Sequence, residues 1–452
     1  MAVKPPSREI VDKFLAAKEV LFQDELKLCT GIEIVQKFTS LMDGLIRSLF
    51  AAAGFDRENG TEKPIDLAVV ALGSYGRVEL CCHSDVDFMI IHQGPLSGEM
   101  RAMIPLVLYP MWDAGLEVGH SILTFRECLH LSLDDFRVFT SLLDARFVLG
   151  SQSFFKLFQE AMWARIYREK EKLFGKFIVS RKKRIEKYDS ENFFVEPDLK
   201  EGPGGLRDLH LMSWMARVYF SSQQFREMRR FSEFSYFEFD DLDESRGFLL
   251  KIRNHLHFLT GRKEDRFLLS HQEAMSQLLN YEEDPAASGP ENLMKDLYLH
   301  LNRVRYGYEE FHTKAIDMID PQPIETDPEK VSSEFRIMKG NIVLKDGFLS
   351  ERSPMVILRG LHEASQRGLF IGSGFIWEAK KIVSKEGESL ARLPEARKLF
   401  LEIILRTENA RVLRLLLELG LVTLFIPEFK KLRNLAQFGF YHVMTVDLHS
   451  LR

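Results

Sequence analysis

Apolar positions along the chain follow two rhythms. From residue 8 to 55 they recur every three or four places behind Ser7 as an N-cap, which predicts helix. Ile65 to Leu72 (IDLAVVAL) is instead a short continuous apolar run that stops at Gly73, the pattern of a buried strand. Asp85 to Ile91 (DVDFMII) reads as a second strand, and Glu117 to Phe125 (EVGHSILTF) as a third. Helical spacing lies between and after them, over Leu96 to Ala114 and over Asp134 to Gly150. These pieces make a small α/β unit of roughly 90 residues. From Ser151 onward the helical rhythm dominates, over 151–188, 205–224, 241–260, 290–318 and 353–430. A glycine-rich break interrupts it at Glu201-Gly202-Pro203-Gly204-Gly205. Pro321, Pro323 and Pro328 mark a linker over Asp317 to Glu329, and turn signals at Lys339-Gly340-Asn341 and Asp346-Gly347 predict a short hairpin within Phe335 to Phe348.

The expected fold class is α+β and mostly helical. Four parts follow: an N-terminal helical segment at 1–65, the α/β unit at 66–150, a helical-bundle domain at 151–320 and a further helical region at 330–452. At roughly 150 residues per domain the 452 residues suit about three domains, with residues 1–65 a shorter helical segment before them. Composition is ordinary for a globular chain, 45% apolar and 28% charged, which excludes a disordered or collagen-like protein. The excess of Phe, 36 against 11 Tyr and 4 Trp, reads as core filling without polar groups to satisfy.

A net charge of -5 leaves no bulk basic field, so no nucleic-acid partner is expected, and any phosphate must be held at a local site. Cys29, Cys81, Cys82 and Cys128 form neither a CxxC pair nor a disulfide framework, and the N-terminus (MAVKPPSREI) lacks an apolar core of a signal peptide. The expectation is a cytoplasmic protein. The longest strongly apolar stretch, Leu415 to Pro427, is broken by Glu418 and is too short for a membrane span.

Chemistry concentrates at Gly73-Ser74 and Asp85-Val86-Asp87. A strand ends in two small residues, whose backbone amides can approach phosphate oxygens closely and to which Ser74 adds a hydroxyl. Asp85 and Asp87, two apart on the next strand, point to one face and together suit one or two hard divalent cations, Mg²⁺ above all. Such cations bridge a nucleoside triphosphate and polarise its α-phosphate.

The combination resembles the nucleotidyltransferase superfamily with the polymerase-β-like fold. A narrower resemblance, to bacterial PII uridylyltransferase/uridylyl-removing enzymes, runs from about residue 65 to the end. It is carried by Gly73-Ser74-Tyr75-Gly76-Arg77-Val78-Glu79-Leu80 with Ser84-Asp85-Val86-Asp87, by Trp112 to Ser121, by Ser141 to Arg146, by Glu196 to Leu209, by Leu256 to Arg262 with Glu264-Asp265-Arg266, and by Tyr441-His442 with Thr445 to His449. The resemblance implies Mg²⁺-dependent transfer of UMP from UTP to a tyrosine of the signal protein PII. Asp85 and Asp87 would be metal ligands, with Gly73 and Ser74 on the triphosphate. It also sets two departures. Cys82 stands where the family usually has proline, giving a Cys81-Cys82-His83 run that makes a poor chelate because adjacent strand residues face opposite ways. His449 matches the first metal histidine of the family's HD phosphohydrolase domain, but the chain has no His-Asp dipeptide and ends three residues later. The expectation is a transferase without that hydrolase activity and without the glutamine-sensing ACT domains.

Several readings stay open at the level of sequence. The third carboxylate of the site is Glu117, at the start of the third strand, or Asp144, which equally suits a structural partner of Arg146. Arg77 positions phosphates or braces the turn. The loop from Glu201 to Asp208, with Lys200 and Arg207, is a phosphate cradle closing over the nucleotide or a tight interdomain turn. The basic stretch Arg181-Lys182-Lys183-Arg184 is a solvated face or a field that draws the nucleotide in. His255, His257, Arg262 and Arg266 fit a polar network around Asp265 better than catalysis. Two rival functions remain: nucleotidyl transfer, adenylyl for example, to another acceptor, and a regulatory module that binds nucleotide without turnover.

Overall fold

The computed structural model describes residues 6–55, 66–188, 195–319 apart from 223, 232–233, 235–236 and 285–286, and 334–432 apart from 339–340, 345–352 and 408. The proline-bearing stretch beyond 319, the Asp346-Gly347 turn and His449 lie outside these residues. The architecture is α+β and mostly helical, with one four-stranded and one three-stranded sheet among the described residues.

The chain opens with α1 (Pro6–Val20), one π-helical turn, and α2 (Gly31–Ala52). The expected single helix is broken because Thr30 caps α2. Its hydroxyl accepts from the Glu33 amide while the Glu33 carboxylate accepts from the Thr30 amide, a reciprocal capping box.

The α/β unit consists of β1 (Leu67–Ala71), the four-residue α3 (Gly73–Gly76), β2 (Val86–His92), α4 (Gly98–Asp113), β3 (Val118–Thr124), α5 (Phe125–Asp134), α6 (Phe136–Leu143) and β4 (Arg146–Gly150). The sheet order is β3-β2-β1-β4. β1 is buried along its whole length and runs antiparallel to both β2 and β4, while β2 and β3 are parallel. β4 corrects the helix expected over 134–150: the helical rhythm ends at Leu143, and Arg146 to Gly150 pair with β1 as a strand.

Helices α7 (Gln152–Arg168), α8 (Lys170–Ile185), α9 (Leu206–Phe220), α10 (Phe239–Thr260), α11 (Leu269–Leu278) and α12 (Gly289–Ile319) follow. One apolar core runs from Val11 to Ala315 and joins the N-terminal helices, the sheet and these helices. Phenylalanine fills it as expected. Phe225, Phe234, Phe237 and Phe239 interlock with Phe311, with ring centroids 4.8 Å apart for Phe237–Phe239 and 5.2 Å for Phe234–Phe311. A second core gathers Phe335 to Val422. It contains the expected hairpin, Phe335–Met338 with Asn341–Leu344, extended by Phe370–Ile371 and covered by helices from Met355 onward.

Candidate active site

Asp87 lies on β2 and Asp85 immediately before it, at the end of the strand where β1 turns into α3. In the parallel pairing of β2 with β3, Asp87 stands opposite Gly119. A Cβ at Gly119 would fall 2.2 Å from Asp87 Oδ1, and one at Gly73 would lie 3.4 Å from Asp87 Oδ2. Glycines on both sides therefore leave the space that the Asp87 carboxylate occupies. Gly73 itself has φ +54°, which suits a residue without a side chain.

The third carboxyl at this end of the sheet is that of Glu117. Its backbone carbonyl accepts from the Val86 amide, and its side chain meets the carboxyl of Asp85. The Asp85 contact, then the charge of Asp85, raises the pKa of Glu117. Burial followed by Asp85 raises that of Asp87. Burial works upward on Asp85 too, but the Lys263 and Glu117 contacts outweigh it and hold Asp85 low. Oδ1 of Asp85 is buried and has no hydrogen-bond donor. Among the described residues no cluster of three or more His, Cys, Asp or Glu side chains forms a self-sufficient metal cage. Mg²⁺ does not require one, because it is usually held by one or two carboxylates together with substrate phosphates and water. Converging carboxyls and an orphaned buried carboxylate oxygen fit such a cation.

Asp144, the alternative third carboxylate, is elsewhere engaged. It is buried, accepts from the Trp214 indole N–H at 2.8 Å, and pairs with Arg77. Its expected partner, Arg146, pairs instead with Asp43 at 2.8 and 2.9 Å. Arg77 divides its guanidinium between Asp144 and Glu79, the latter at 3.0 Å, and lies over the Trp214 ring. This is the bracing alternative for Arg77. Gly76 explains the tightness of that brace, since a Cβ there would sit 2.2 Å from the Asp144 carbonyl oxygen. Glu79 also accepts from His210 Nε2 at 2.7 Å. Although burial opposes it, that bond together with Arg77 and Arg246 holds Glu79 well below the usual carboxylate range. Burial pulls His210 down to about 3, so its ring is neutral at physiological pH.

The glycine-rich loop is built for close packing. A Cβ at Gly204 (φ +77°) would meet the Leu301 carbonyl oxygen at 1.9 Å, and one at Gly202 would meet that of Asp198 at 2.5 Å. Asp208 is its hub, fully buried, accepting from the Gly204 amide at 2.9 Å and paired with Arg181 and Arg184. Half of the basic stretch thus turns inward, while Lys182 and Lys183 face solvent. Arg207 is committed to Glu201 at 2.7 and 3.0 Å and stacks over Trp214. Lys200 is different. It lies 3.9 Å from Asp265 and close enough to Asp85 and Asp87 to favour their ionised forms, while burial lowers its own pKa.

The end of α10 fastens the segment that leads into Asp85 and β2. Asn254 Oδ1 accepts from the Cys82 amide at 3.1 Å, and His257 Nδ1 from the His83 amide at 3.3 Å. His257 Nε2 donates to Asp265 at 3.2 Å, and Arg253 also grips Asp265, at 2.6 Å. Cys81 and Cys82 are buried thiols inside this joint. Burial pushes the Cys82 thiol up to about 11. Arg262 pairs with Glu264 and Arg266 with Glu196.

Two participants escaped the sequence reading. Gly119 had a signal, since a glycine inside a strand marks close approach of another group. Lys263, whose ammonium binds Asp85, had none, because only the fold brings together two residues 178 positions apart.

The family model for GlnD PII-uridylyltransferase matches residues 172–312, and that for glutamate-ammonia ligase adenylyltransferase matches residues 16–102. Relatives described as bifunctional uridylyltransferase/uridylyl-removing enzymes align over most of the chain. That of Photobacterium profundum is 32% identical over 394 residues, covering 86% of this chain and 44% of the relative. That of Vibrio vulnificus is 28% identical over 428 residues (93% and 48%), and that of Haemophilus influenzae strain Rd 29% over 444 residues (96% and 50%). The chain spans about half the length of these curated relatives. No helix among the described residues is long and apolar enough to cross a membrane. The chain is thus a relative of the bifunctional uridylyltransferase/uridylyl-removing enzymes and carries the PII-uridylyltransferase family's helical domain at residues 172–312.

Proposed function

We propose that the chain is a nucleotidyltransferase that moves UMP from UTP to a tyrosine of a PII signal protein and releases diphosphate. The observation that carries this reading is the Asp87 carboxylate seated between Gly73 and Gly119, with Asp85 near it and Glu117 in contact with Asp85. Asp85 and Asp87 would hold Mg²⁺, whose chemistry is to bridge the phosphates and polarise the α-phosphate. Gly73 and Ser74 would take the triphosphate. The tyrosine oxygen attacks the α-phosphorus, the bond from that phosphorus to the β-phosphate oxygen breaks, and diphosphate leaves with the electron pair. Glu117 would accept the tyrosine proton, a role that its raised pKa supports. Asp144 and Arg77 would brace the turn, Arg207 would hold the glycine-rich loop through Glu201, and Lys200 would add positive charge near the carboxylates.

UTP and PII rest on the relatives' description. A second reading, adenylyl transfer to a protein acceptor, is favoured by the adenylyltransferase match over 16–102, which includes Gly73, Ser74, Asp85 and Asp87. Incubation with PII, Mg²⁺ and either UTP or ATP labelled on the α-phosphate separates the two. Label from UTP on a PII tyrosine supports the first. Label from ATP alone supports the second, and label from neither sinks both.

A further inference from the structure

Lys263 sits in the loop after α10, two residues beyond Gly261, which ends the helix with φ +65°. Its ammonium binds Oδ2 of Asp85 and is near enough to Asp87 and Glu117 to act on their charges as well. The base of this lysine is fixed. Arg262 pairs with Glu264 at 2.8 Å, Asp265 is gripped by Arg253 and His257, the Asp265 carbonyl accepts from the Leu199 amide, and the Phe267 amide donates to the Pro197 carbonyl, at 2.8 Å each. Its tip is not fixed. The Lys263 and Asp85 side chains are 34% and 37% exposed, so water reaches the pair and the four-carbon stem can swing.

An ammonium on a carboxylate oxygen and a divalent cation on the same carboxylate repel each other. A lysine serving only as a permanent brace would oppose the ion that the carboxylates suit. A triphosphate, by contrast, brings negative charge to the same mouth of the site, and lysine binds phosphate as a mobile point charge.

We propose that Lys263 is an exchangeable counter-ion: it neutralises Asp85 in the empty site, yields the carboxylate to a divalent cation, and moves to the phosphates of the incoming nucleotide. This rests on the nucleotidyltransferase reading for the identity of the anion, but not for the exchange at Asp85. The device keeps converging carboxyls from repelling one another before substrate arrives. It also makes metal and nucleotide bind better together than apart, because each removes the competitor of the other.

The two halves of the proposal have opposite signs in one variant. Mn²⁺ binding to the nucleotide-free chain, read by electron paramagnetic resonance, should tighten about fivefold in Lys263→Met, by the size of a part-exposed ion pair. The KM for UTP in labelling of PII should rise about tenfold in the same variant. Lys263→Arg keeps the charge and should bring Mn²⁺ affinity back toward wild type. Thermal unfolding of each variant checks folding. Unchanged or weaker Mn²⁺ binding in folded Lys263→Met, or Lys263→Arg behaving like Lys263→Met, overturns the exchange. A wild-type chain that labels no PII while its Mn²⁺ response follows the prediction would overturn the transferase reading and leave the exchange standing.

Discussion

Gly119 on β3 faces Asp87 on β2 so closely that a methyl group at 119 would overlap Asp87 Oδ1, at 2.2 Å. The neighbouring strand therefore shapes the pocket of the carboxylate by lacking a side chain. Gly119→Ala should push Asp87 off its position with little effect on the exposed surrounding strand. Displacement on the order of 1 Å at a reacting centre costs about 100-fold. We expect kcat to fall by that order while the thermal midpoint stays near wild type. Wild-type kcat in Gly119→Ala would show that the Asp87 position does not matter to turnover.

Glu117 and Asp144 were rivals for the third acidic role, and they differ in what surrounds them. Glu117 is open to solvent beside Asp85, so Glu117→Gln should leave urea unfolding unchanged and lower kcat by about 10²–10⁴-fold, the range for a lost general base. Asp144 is buried against Arg77 and Trp214, so Asp144→Ala takes one of the two carboxylates from the buried Arg77 guanidinium, leaves the Trp214 indole N–H without its acceptor, and should cost about 3 kcal/mol of stability. Equilibrium urea unfolding and kcat, measured on both variants, should separate them. Loss of stability in Glu117→Gln with Asp144→Ala unaffected would reverse the assignment.

Stability should decline on acidification. His210 is depressed from 6.5 to about 3 by burial, and His83 to about 4. A depressed histidine favours the fold fully above its unfolded value and loses that contribution as pH falls toward its folded value. Glu79, also held low, adds its own loss below the ordinary carboxylate range. In urea unfolding the histidine contribution should be constant from pH 8 to about 7 and fall below that, opposed by Glu418, which burial raises to about 7 and whose contribution grows as pH falls through that value. His210→Gln, which keeps a donor toward Glu79 but does not titrate, should flatten this slope. An unchanged slope in that variant would place the acid sensitivity elsewhere.

Much of the site was legible because its signals are local. Gly73-Ser74 and Asp85-Val86-Asp87 are read within fifteen residues, and each apolar run beside them has the length of a strand. What was not legible depends on long-range partners. The β4 strand follows α6 after only Asp144 and Ala145, so its short apolar stretch merges with the helical rhythm before it. The inward turn of Arg181 and Arg184 depends on Asp208, and the bracing use of Arg77 on Asp144 and Trp214, none of which spacing can reveal. The Phe-rich core was readable as composition, but its assembly around Phe311 was not.

The most direct test compares transfer of labelled UMP to PII by the wild-type chain with transfer by Asp85→Asn and Asp87→Asn. These substitutions keep size and remove the charge that suits Mg²⁺. The wild-type chain should label PII in a Mg²⁺-dependent manner, and each variant should fall by at least about 10³-fold while unfolding at the wild-type temperature. Transfer by either folded variant at the wild-type rate would contradict a nucleotidyltransferase site built on this pair.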